Sequence, residues 1–404
     1  MRLEFGYQTK FRTTSEQNIY TISALEEWKE TIAKQMPHLS VPQASVLALW
    51  SFGMVLSHSC GITTVASNLA SLMGVKENTV RQRIREWYYS KAHKRGTGRS
   101  EIAASSSFVP LLRWIISWWS FDEKRLALAM DATSLGQVLV VLAISVVYRG
   151  CAIPIAWRVL PAAEKGSWKE VWLDLFSPFE EVLPKDWVVI VMADRGLYAR
   201  WLFEIIQKCQ WHPFLRINGG GLFRPKDSDE FRALNLAFHQ PGCTWSGSVT
   251  CFKHNSLEAT LLVQWKEGYK DPWLILTDLP AEQSLSCWYG LRTWIECGFK
   301  HIKSAGWQWQ HTRMTDPERA TRFWLAIAVA TLWVLSVGGE ADANIPASSF
   351  DALPENHIAR RRSQKNSGVR LLSCFHRGLM IIITALIAQR QLPLGCFIPE
   401  PWPT

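Results

Sequence analysis

The stretch RLALAMDATSLGQVLVVLAISVVYRGCAIPIAWRVLP, residues 125–161, reads as three successive β-strands. Valine and isoleucine dominate it, and Arg149-Gly150 interrupts the apolar run where a turn between strands is expected. Downstream, the pattern predicts a helix over 168–182, a buried strand ending at Asp194, a helix over 198–209 and the strand PFLRIN. The segment is therefore expected to form an α/β core that begins with a three-stranded meander.

The order strand-strand-strand-helix-strand-helix-strand is that of a ribonuclease-H-like core, and two acids end its strands. Asp131 ends the first predicted strand and Asp194 ends the fourth. In this order the two strands are neighbours, about 4.8 Å apart, and sites in open α/β sheets lie at the carboxyl ends of strands. Two carboxylates there repel unless a cation separates them, and hard oxygen ligands favour Mg²⁺ or Mn²⁺. For either aspartate alone, a turn-capping role is the alternative.

A third acid lies in the segment CWYGLRTWIECGFKHIKSAG, residues 287–306. On a helix that turns by ~100° per residue, four polar residues fall within about 60° of one another. Apolar residues form a separate face, so the polar stripe is not a result of burial. A solvated face held by salt bridges is the alternative interpretation. The stripe consists of Tyr289, Arg292, Glu296 and Lys303.

The spacing Tyr-x2-Arg-x3-Glu-x6-Lys resembles the signature of the fourth family of bacterial insertion-sequence transposases, which belong to the wider DDE transposase group. Asp131 within MDAT and Asp194 within DRG resemble the motifs around that family's first two acids. The resemblance covers roughly residues 125–335. It implies that Asp131, Asp194 and Glu296 are the catalytic metal ligands, and that Tyr289, Arg292 and Lys303 hold the phosphate of a DNA end.

Phosphodiester cleavage needs an activated nucleophile and a stabilised leaving oxygen, and two metal ions about 3.5–4 Å apart provide both. We expect two Mg²⁺ or Mn²⁺ ions, with Asp131 bridging them and Asp194 and Glu296 on one each. Tyr289 as a covalent nucleophile is the disfavoured alternative, because its neighbours suit a metal site with a phosphate clamp. The resemblance adds a hairpin route: a freed 3′-hydroxyl attacks the opposite strand, and the hairpin opens before insertion.

Between the two halves of the core, residues 212–283 read as a β-rich insertion, with strand-like runs TWSGSVTCF, EATLLVQWKE and PWLILTDL. The resemblance places such an insertion between the second aspartate and the glutamate. In relatives, a tryptophan of the insertion stacks on a flipped base. Core packing is the alternative role for each of Trp245, Trp265 and Trp273.

The N-terminal part, residues 1–100, is expected to be a helical DNA-binding domain. Within 61–89, two short amphipathic helices flank Gly74, as in a helix-turn-helix. The second helix carries Arg81, Arg83 and Arg85, which could contact bases and phosphates in a major groove. An ordinary helical hairpin with a solvated basic face is the alternative. Residues 94–107 are rich in glycine and serine and read as a linker.

Composition agrees with a globular DNA-binding protein. The net charge of +9 suits a polyanionic partner, and 22 tryptophans exceed ordinary usage. Nine scattered cysteines without a CxxC pair predict neither a disulfide framework nor a zinc site. No secretory signal is evident at the N-terminus. The uncharged run 323–339 falls just short of a spanning helix and is expected to be a buried core helix, so no membrane partner is expected.

The predicted organisation is completed by 121–211 and 284–345 as the two parts of the core and by 346–404 as a helical tail with a basic loop at 359–370. The expected function is metal-dependent cut-and-paste cleavage and strand transfer at the ends of an insertion sequence. The expected partners are double-stranded DNA, as terminal inverted repeats and target, and a second protomer in a homodimer. The expected location is the bacterial cytoplasm, at the nucleoid. A domesticated transposase that binds DNA without cleavage and a nuclease of the same fold are the alternatives.

Overall fold

The computed structural model of the protein describes residues 14–94, 99–164, 166, 168–343 and 372–404. The basic loop predicted at 359–370 lies outside the described residues, as do four residues of the predicted linker. The α-helices are α1 (Thr14–Gln35), α2 (Val41–Ser57), α3 (Ile62–Met73), α4 (Glu77–Tyr88), α5 (Phe108–Ser117), α6 (Lys169–Phe176), α7 (Arg200–Lys208), α8 (Leu234–Ala237), α9 (Thr293–Lys300), α10 (Pro317–Ala341) and α11 (Cys374–Ile387).

Ten strands form one mixed sheet in the order β3-β2-β1-β4-β5-β10-β9-β8-β6-β7. The meander and the two following strands predicted for residues 125–218 are confirmed, with short helices between them. The strands are β1 (Arg125–Leu135), β2 (Leu139–Tyr148), β3 (Cys151–Pro161), β4 (Val188–Ala193), β5 (His212–Arg216), β6 (Leu222–Pro225), β7 (Arg232–Ala233), β8 (Thr244–Cys251), β9 (Leu257–Gln264) and β10 (Trp273–Thr277).

The pairing of β1 with β4 sets the distance between the two aspartates. The strands are parallel, and their last paired residues are Ala129 and Met192. Continuing that register by two residues brings Asp131 opposite Asp194, which directly follows β4. Asp131 does not end its strand, as the sequence suggested: β1 continues to Leu135 because β2 still pairs with it there. The two acids are nevertheless neighbours at one edge of the parallel pair.

The predicted insertion continues the sheet. Its three predicted strands are observed as β8, β9 and β10, and β10 pairs antiparallel with β5 through Ile275 and Arg216. The hydrogen-bonded edge that β5 presents beyond β4 is thereby covered, which removes an exposed strand edge. The insertion is therefore attached rigidly to the strands that carry the acids.

The long helix α10 forms the centre of the core. Among the described helices, it alone is long and apolar enough to cross a membrane. Helices α2 and α3 would meet the same criterion only if they were counted as one bent span. The apolar segment of α10 is fully buried within the protein. Its burial agrees with the core helix expected for 323–339. At one edge of the sheet, Thr321 accepts a hydrogen bond from the Val159 amide, and its carbonyl accepts one from the Trp157 indole.

The N-terminal helices share this core. Trp28 of α1 stacks on Trp333 of α10 with ring centroids 4.2 Å apart, and Trp50 of α2 meets Phe323 edge-on at 4.7 Å. Arg322 of α10 donates a hydrogen bond to the Tyr88 carbonyl at the end of α4. Helices α1, α2 and α4 thus pack directly against the helix that supports the sheet, and α3 packs against α2 and α4.

Tryptophan is used mainly for this packing. Large indoles on α1, α2, α5 and α10 are fully buried, and each of the 22 tryptophans is at least partly buried. Aromatic side chains bury much apolar area at a small cost in rotamer entropy. The high tryptophan content is therefore explained mainly by packing in the core and not by stacking on DNA bases.

The predicted linker is fixed in its described part. Glu101 forms an ion pair with the buried Arg322 at 2.5 Å, and Ile102 is buried. A 3₁₀ turn, Ala104–Ser107, leads directly into α5. Residues 99–107 are thus not a free hinge, because a buried charge on α10 requires the carboxylate that they supply.

Candidate active site

Three carboxylates converge on one guanidinium. Asp131 comes from β1, Asp194 follows β4, and Glu296 lies on α9. Arg292 Nη1 lies 3.2 Å from Asp131 Oδ2, while Nη2 lies 3.6 Å from both Asp194 Oδ2 and Glu296 Oε1. The structure therefore brings together three acids that are far apart in the chain, with Arg292 at their centre.

Each aspartate uses its other oxygen locally. Asp131 Oδ1 accepts the Ala132 amide at 2.8 Å, and Asp194 Oδ1 accepts the Arg195 amide at 2.8 Å. These bonds hold one oxygen of each carboxylate against the amide of the following residue, and the second oxygens face Arg292. The turn-capping alternative thus describes one oxygen of Asp194, which directly precedes a turn, but not Asp131, whose amide partner Ala132 lies within β1.

Charge and burial act together on this cluster. Burial raises the pKa of Asp131, an effect that Arg292 opposes and that Glu296 and Asp194 add to. Burial alone would lower the pKa of Arg292, but Tyr289 and the three acids outweigh it and raise the pKa. Like charges gathered this closely require a cation among them, and the guanidinium provides one charge.

The segment that carries the polar stripe is not a uniform α-helix. It begins as a 3₁₀-helix (Ser286–Arg292), continues as α9 and ends as a π-helix (His301–Ala305). A 3₁₀-helix has three residues per turn, so Tyr289 and Arg292 still share a face, and Glu296 follows one α-turn later. Gly298 lets α9 approach the sheet, because a Cβ there would lie 2.7 Å from the Ala152 Cβ.

Tyr289 supports the site from within the protein. Its side chain is buried, and its hydroxyl donates a hydrogen bond to the Ala193 carbonyl, one residue before Asp194. Burial raises its pKa, with Asp194 adding to the rise and Arg292 opposing it. A buried neutral phenol that donates to the backbone is a poor nucleophile, which agrees with the preference for a metal site over a covalent tyrosine mechanism.

Lys303 does not join the cluster. It lies in the π-helical segment, half-buried, and makes no ion pair within the part of the chain that the structure describes. Burial lowers its pKa. The π-turn closes with an i→i+5 bond and rotates the chain less per residue, so Lys303 departs from the stripe expected of a uniform helix.

The two short helices predicted within 61–89 are observed as α3 and α4, and Gly74 ends α3 in the left-handed conformation. The three arginines of α4 do not share a face. Arg81 hydrogen-bonds Asn78, and Arg85 donates to the Tyr89 hydroxyl at 2.8 Å. Arg83 instead lines a cavity of about 440 Å³ on the far side of the helix.

Two arginines that the sequence did not single out border the acids. Arg216 Nη1 lies 3.9 Å from Asp194 Oδ1, and Arg195 pairs with Asp271 at 3.3 Å. Arg216 ends β5, the neighbour of β4, so the predicted strand order was a signal that could have found it. Both arginines line a cavity of about 250 Å³ beside Asp194.

The three tryptophans of the insertion occupy different places. Trp265 lines the cavity beside Asp194 and donates its indole N–H to the Tyr269 carbonyl. Trp273 packs edge-on against Tyr289 with ring centroids 5.2 Å apart. Trp245 packs against Phe223 and Phe238.

The carboxylates fit a divalent cation in their chemistry, because Mg²⁺ and Mn²⁺ prefer oxygen ligands of this kind. Among the residues that the structure describes, no three His, Cys, Asp or Glu side chains are grouped closely enough to hold a metal ion. The three acids are instead arranged around Arg292, so a cation bound by all three would take positions that the guanidinium contacts.

Comparison with known proteins bears on residues 160–333, which match the family described as "Transposase DDE domain". The matched range contains Asp194 and the four residues of the polar stripe, whereas Asp131 precedes it. No curated protein matches the chain.

A cryo-EM structure of a piggyBac transposase synaptic complex with hairpin DNA is similar to this chain, with a TM-score of 0.40 and 11% sequence identity. The alignment covers 90% of this chain and 82% of that chain. A similarity this low adds nothing to the argument on function, which rests on the family match and on the site. The match over residues 160–333 supports a DDE-type transposase.

Proposed function

We propose that this protein is a transposase of a bacterial insertion sequence, which binds the ends of the element and performs metal-dependent cleavage and strand transfer. The observation that carries the proposal is the convergence of Asp131, Asp194 and Glu296 on Arg292. Acids from two neighbouring strands and one helix meet at a single cation. The resemblance of Tyr289-x2-Arg292-x3-Glu296-x6-Lys303 to the fourth-family signature supports the finer assignment within the DDE group.

Asp131, Asp194 and Glu296 are the residues that would hold two Mg²⁺ or Mn²⁺ ions. Such ions activate a water or a 3′-hydroxyl and stabilise the leaving oxygen of a phosphodiester. Asp131 and Asp194 are fixed by the backbone amides that follow them, so their free oxygens keep one orientation. The ribonuclease-H-like arrangement of β1 to β5 is part of this proposal.

Arg292 would bind the phosphate of the DNA end. A guanidinium presents a planar fork of donors that matches two phosphate oxygens. Tyr289 holds the backbone of the 3₁₀-helix against Ala193, which positions Arg292 at the edge of the acids. Lys303, which lies away from the cluster, would contact the phosphate chain further along.

The cavity beside Asp194 would accept an unpaired base of the DNA end. Its volume of about 250 Å³ suits one flat ring, and Trp265 lines it together with Arg195 and Arg216. Stacking on an indole contributes ~1–3 kcal/mol per base. Among the insertion tryptophans, this position favours Trp265 for base stacking, whereas Trp273 supports Tyr289 and Trp245 packs within the insertion.

The helix-turn-helix of α3 and α4 would bind the element end in a major groove, with Arg81 and Arg85 on the same face of α4. We further propose that two protomers act together on paired ends, at the nucleoid in the bacterial cytoplasm. The net charge of +9 supports attraction to DNA.

The test uses a supercoiled plasmid that carries this coding sequence with its flanking DNA, purified protein and Mg²⁺. We expect the wild type to release the element. Glu296→Gln or Asp194→Ala should lower the cleavage rate by more than about 100-fold, because losing a metal ligand costs more than losing a residue that only hydrogen-bonds a ligand. Glu296→Gln is expected to bind the element ends with the affinity of the wild type. The matched control Asp186→Asn removes an exposed carboxylate that pairs with Lys124, before β4.

Tight binding of the ends without cleavage in Mg²⁺ or Mn²⁺ would favour the domesticated DNA-binding alternative. Hydrolysis without joining to target DNA would favour the nuclease. Cleavage retained by Glu296→Gln would contradict the assignment of the acids while leaving the transposase family open.

A further inference from the structure

Arg292 makes contacts that a phosphate-binding residue does not require. Its side chain is only 12% exposed, and its two terminal nitrogens reach all three acids from three separate elements. A guanidinium has five N–H donors and no acceptor; here it donates a hydrogen bond to Asp131 and forms longer ion pairs with Asp194 and Glu296. The same oxygens are those proposed to hold the metal ions.

A guanidinium and a divalent cation exclude each other at these oxygens. Asp131 Oδ2, Asp194 Oδ2 and Glu296 Oε1 each lie within 3.2–3.6 Å of Arg292. Placing a doubly charged ion at that distance from a fixed positive charge is unfavourable where burial lowers the effective dielectric constant. Metal binding therefore requires the guanidinium to leave the acids or to find another anion.

The local backbone allows the side chain to move alone. Arg292 ends the 3₁₀-helix, and the preceding turn is held by the hydrogen bond from Tyr289 to the Ala193 carbonyl. Glu296 and α9 are held by the close contact of Gly298 with Ala152. A change of the Arg292 rotamer thus needs no rearrangement of the elements that carry the acids.

We propose that Arg292 is an internal competitor for the metal site and couples metal binding to DNA binding. In DNA-free protein its guanidinium offsets part of the negative charge of the three carboxylates, contacts one oxygen of each, and keeps their affinity for divalent cations low. A phosphate of the DNA end attracts the guanidinium by bidentate hydrogen bonds, which frees the carboxylates for the ions. Cleavage away from an element end is thereby suppressed. This inference rests on the proposed function, because it uses its metal ligands and its DNA partner.

The coupling must be reciprocal, since a DNA end that promotes metal binding is itself bound more tightly when metal is present. Coupling free energies between two ligands commonly change an affinity by about 5–150-fold. We therefore expect at least about a fivefold increase in Mn²⁺ affinity when a DNA end is added to the wild-type protein.

The experiment measures Mn²⁺ binding by calorimetry, first without DNA and then with a duplex. The duplex carries the sequence of the element end and stops at the element terminus, so it contains no bond to host DNA that could be cut. We expect Arg292→Gln to bind Mn²⁺ at least about fivefold more tightly than the wild type without DNA, and the duplex to add little. Arg200→Gln is the matched control, because it removes a positive charge at the start of α7 that pairs with Glu204 and not with the three acids.

Mn²⁺ affinity of Arg292→Gln equal to or below that of the wild type would overturn the inference. An equal gain in Arg200→Gln would also overturn it, because general electrostatics would then explain the effect. If Arg292→Gln does not fold, Arg292→Met preserves the apolar stem and takes its place. Mn²⁺ binding that survives Asp194→Ala in the wild-type background would instead contradict the metal ligands of the proposed function, so the two failures are distinguishable.

Discussion

At the scale of single residues, His301 shows how burial sets a protonation state beside the candidate site. It begins the π-helical segment, stacks on Phe375 with ring centroids 4.6 Å apart, and its Nε2 lies 3.3 Å from the Ser373 hydroxyl. Burial lowers its pKa to about 4, and His376 and Lys300 lower it further. His58 faces His376 from α2's end, and its own pKa is lowered by burial and by His376.

The sign of the resulting pH dependence follows from proton uptake. Unfolded His301 titrates near its ordinary pKa of about 6.5, so the unfolded chain binds an extra proton between about pH 6.5 and 4. The stabilisation from neutral His301 is complete above pH 6.5 and is lost as the pH falls towards 4, by up to about 3 kcal/mol. We expect His301→Phe to show a shallower fall in the free energy of unfolding over this range.

Urea unfolding at several pH values measures this effect, and His254→Gln, at an exposed position, is the control. Parallel pH profiles of the wild type and His301→Phe would contradict the assignment. His58, whose pKa is lowered by burial, is unchanged in the variant, so part of the pH dependence remains.

At the scale of elements, the face that α4 presents decides which arginines can reach DNA. At ~100° per residue, Arg85 lies about 40° from Arg81 around the helix, whereas Arg83 lies about 200° away. The surroundings of Arg83 agree with this geometry, because Arg83 lines a cavity together with Glu86 and Arg99. The three arginines predicted to bind DNA therefore divide into a pair and a single residue.

We expect the double variant Arg81→Ala, Arg85→Ala to bind the element end more weakly and with a flatter salt dependence. Each lost phosphate contact lowers the slope of log affinity against log salt concentration by about 0.9, so the pair would lower it by up to about 1.8. Arg83→Ala is the matched control and is expected to change the slope little. Fluorescence anisotropy at several salt concentrations gives both values, and a larger effect of Arg83→Ala would reverse the assignment of the faces.

At the scale of the whole molecule, the stacking of Trp28 on Trp333 links the N-terminal helices to the helix behind the sheet. Both indoles are fully buried. Truncating a large buried aromatic side chain to alanine commonly costs about 3–5 kcal/mol. We expect Trp333→Ala to lower the free energy of unfolding by this amount. The N-terminal helices and the sheet should still unfold in a single transition, because they share this contact.

Chemical denaturation followed by far-ultraviolet circular dichroism and by tryptophan fluorescence tests this expectation. Trp265→Ala is the control, because that indole is only partly buried and its loss is expected to cost less. A separate first transition, with the N-terminal helices unfolding alone, would show that residues 1–100 are an independent domain and that the shared core contributes little.

Local sequence patterns are enough to predict the order of the core strands and to single out the three acids of the candidate site. Runs of β-branched residues with Arg149-Gly150 at a turn leave few alternatives to a meander. Asp131 and Asp194 follow from that order, since parallel neighbours bring their carboxyl ends together. The spacing that placed Arg292 beside Glu296 survives the change from 3₁₀ to α geometry, because both helices return to the same face after three or four residues.

The positions of the positively charged side chains, and the contacts that join the insertion and the linker to the core, became visible only in the tertiary structure. Periodicity assumes a uniform helix, so it could not foresee the π-turn that moves Lys303 from the stripe or the packing that aims Arg292 at all three acids. It treats each segment alone, so it could not foresee that the strands of the insertion extend the sheet or that Glu101 binds Arg322. These features depend on contacts between residues distant in the chain, and the pattern of polar and apolar residues in one segment does not identify the segment that it contacts.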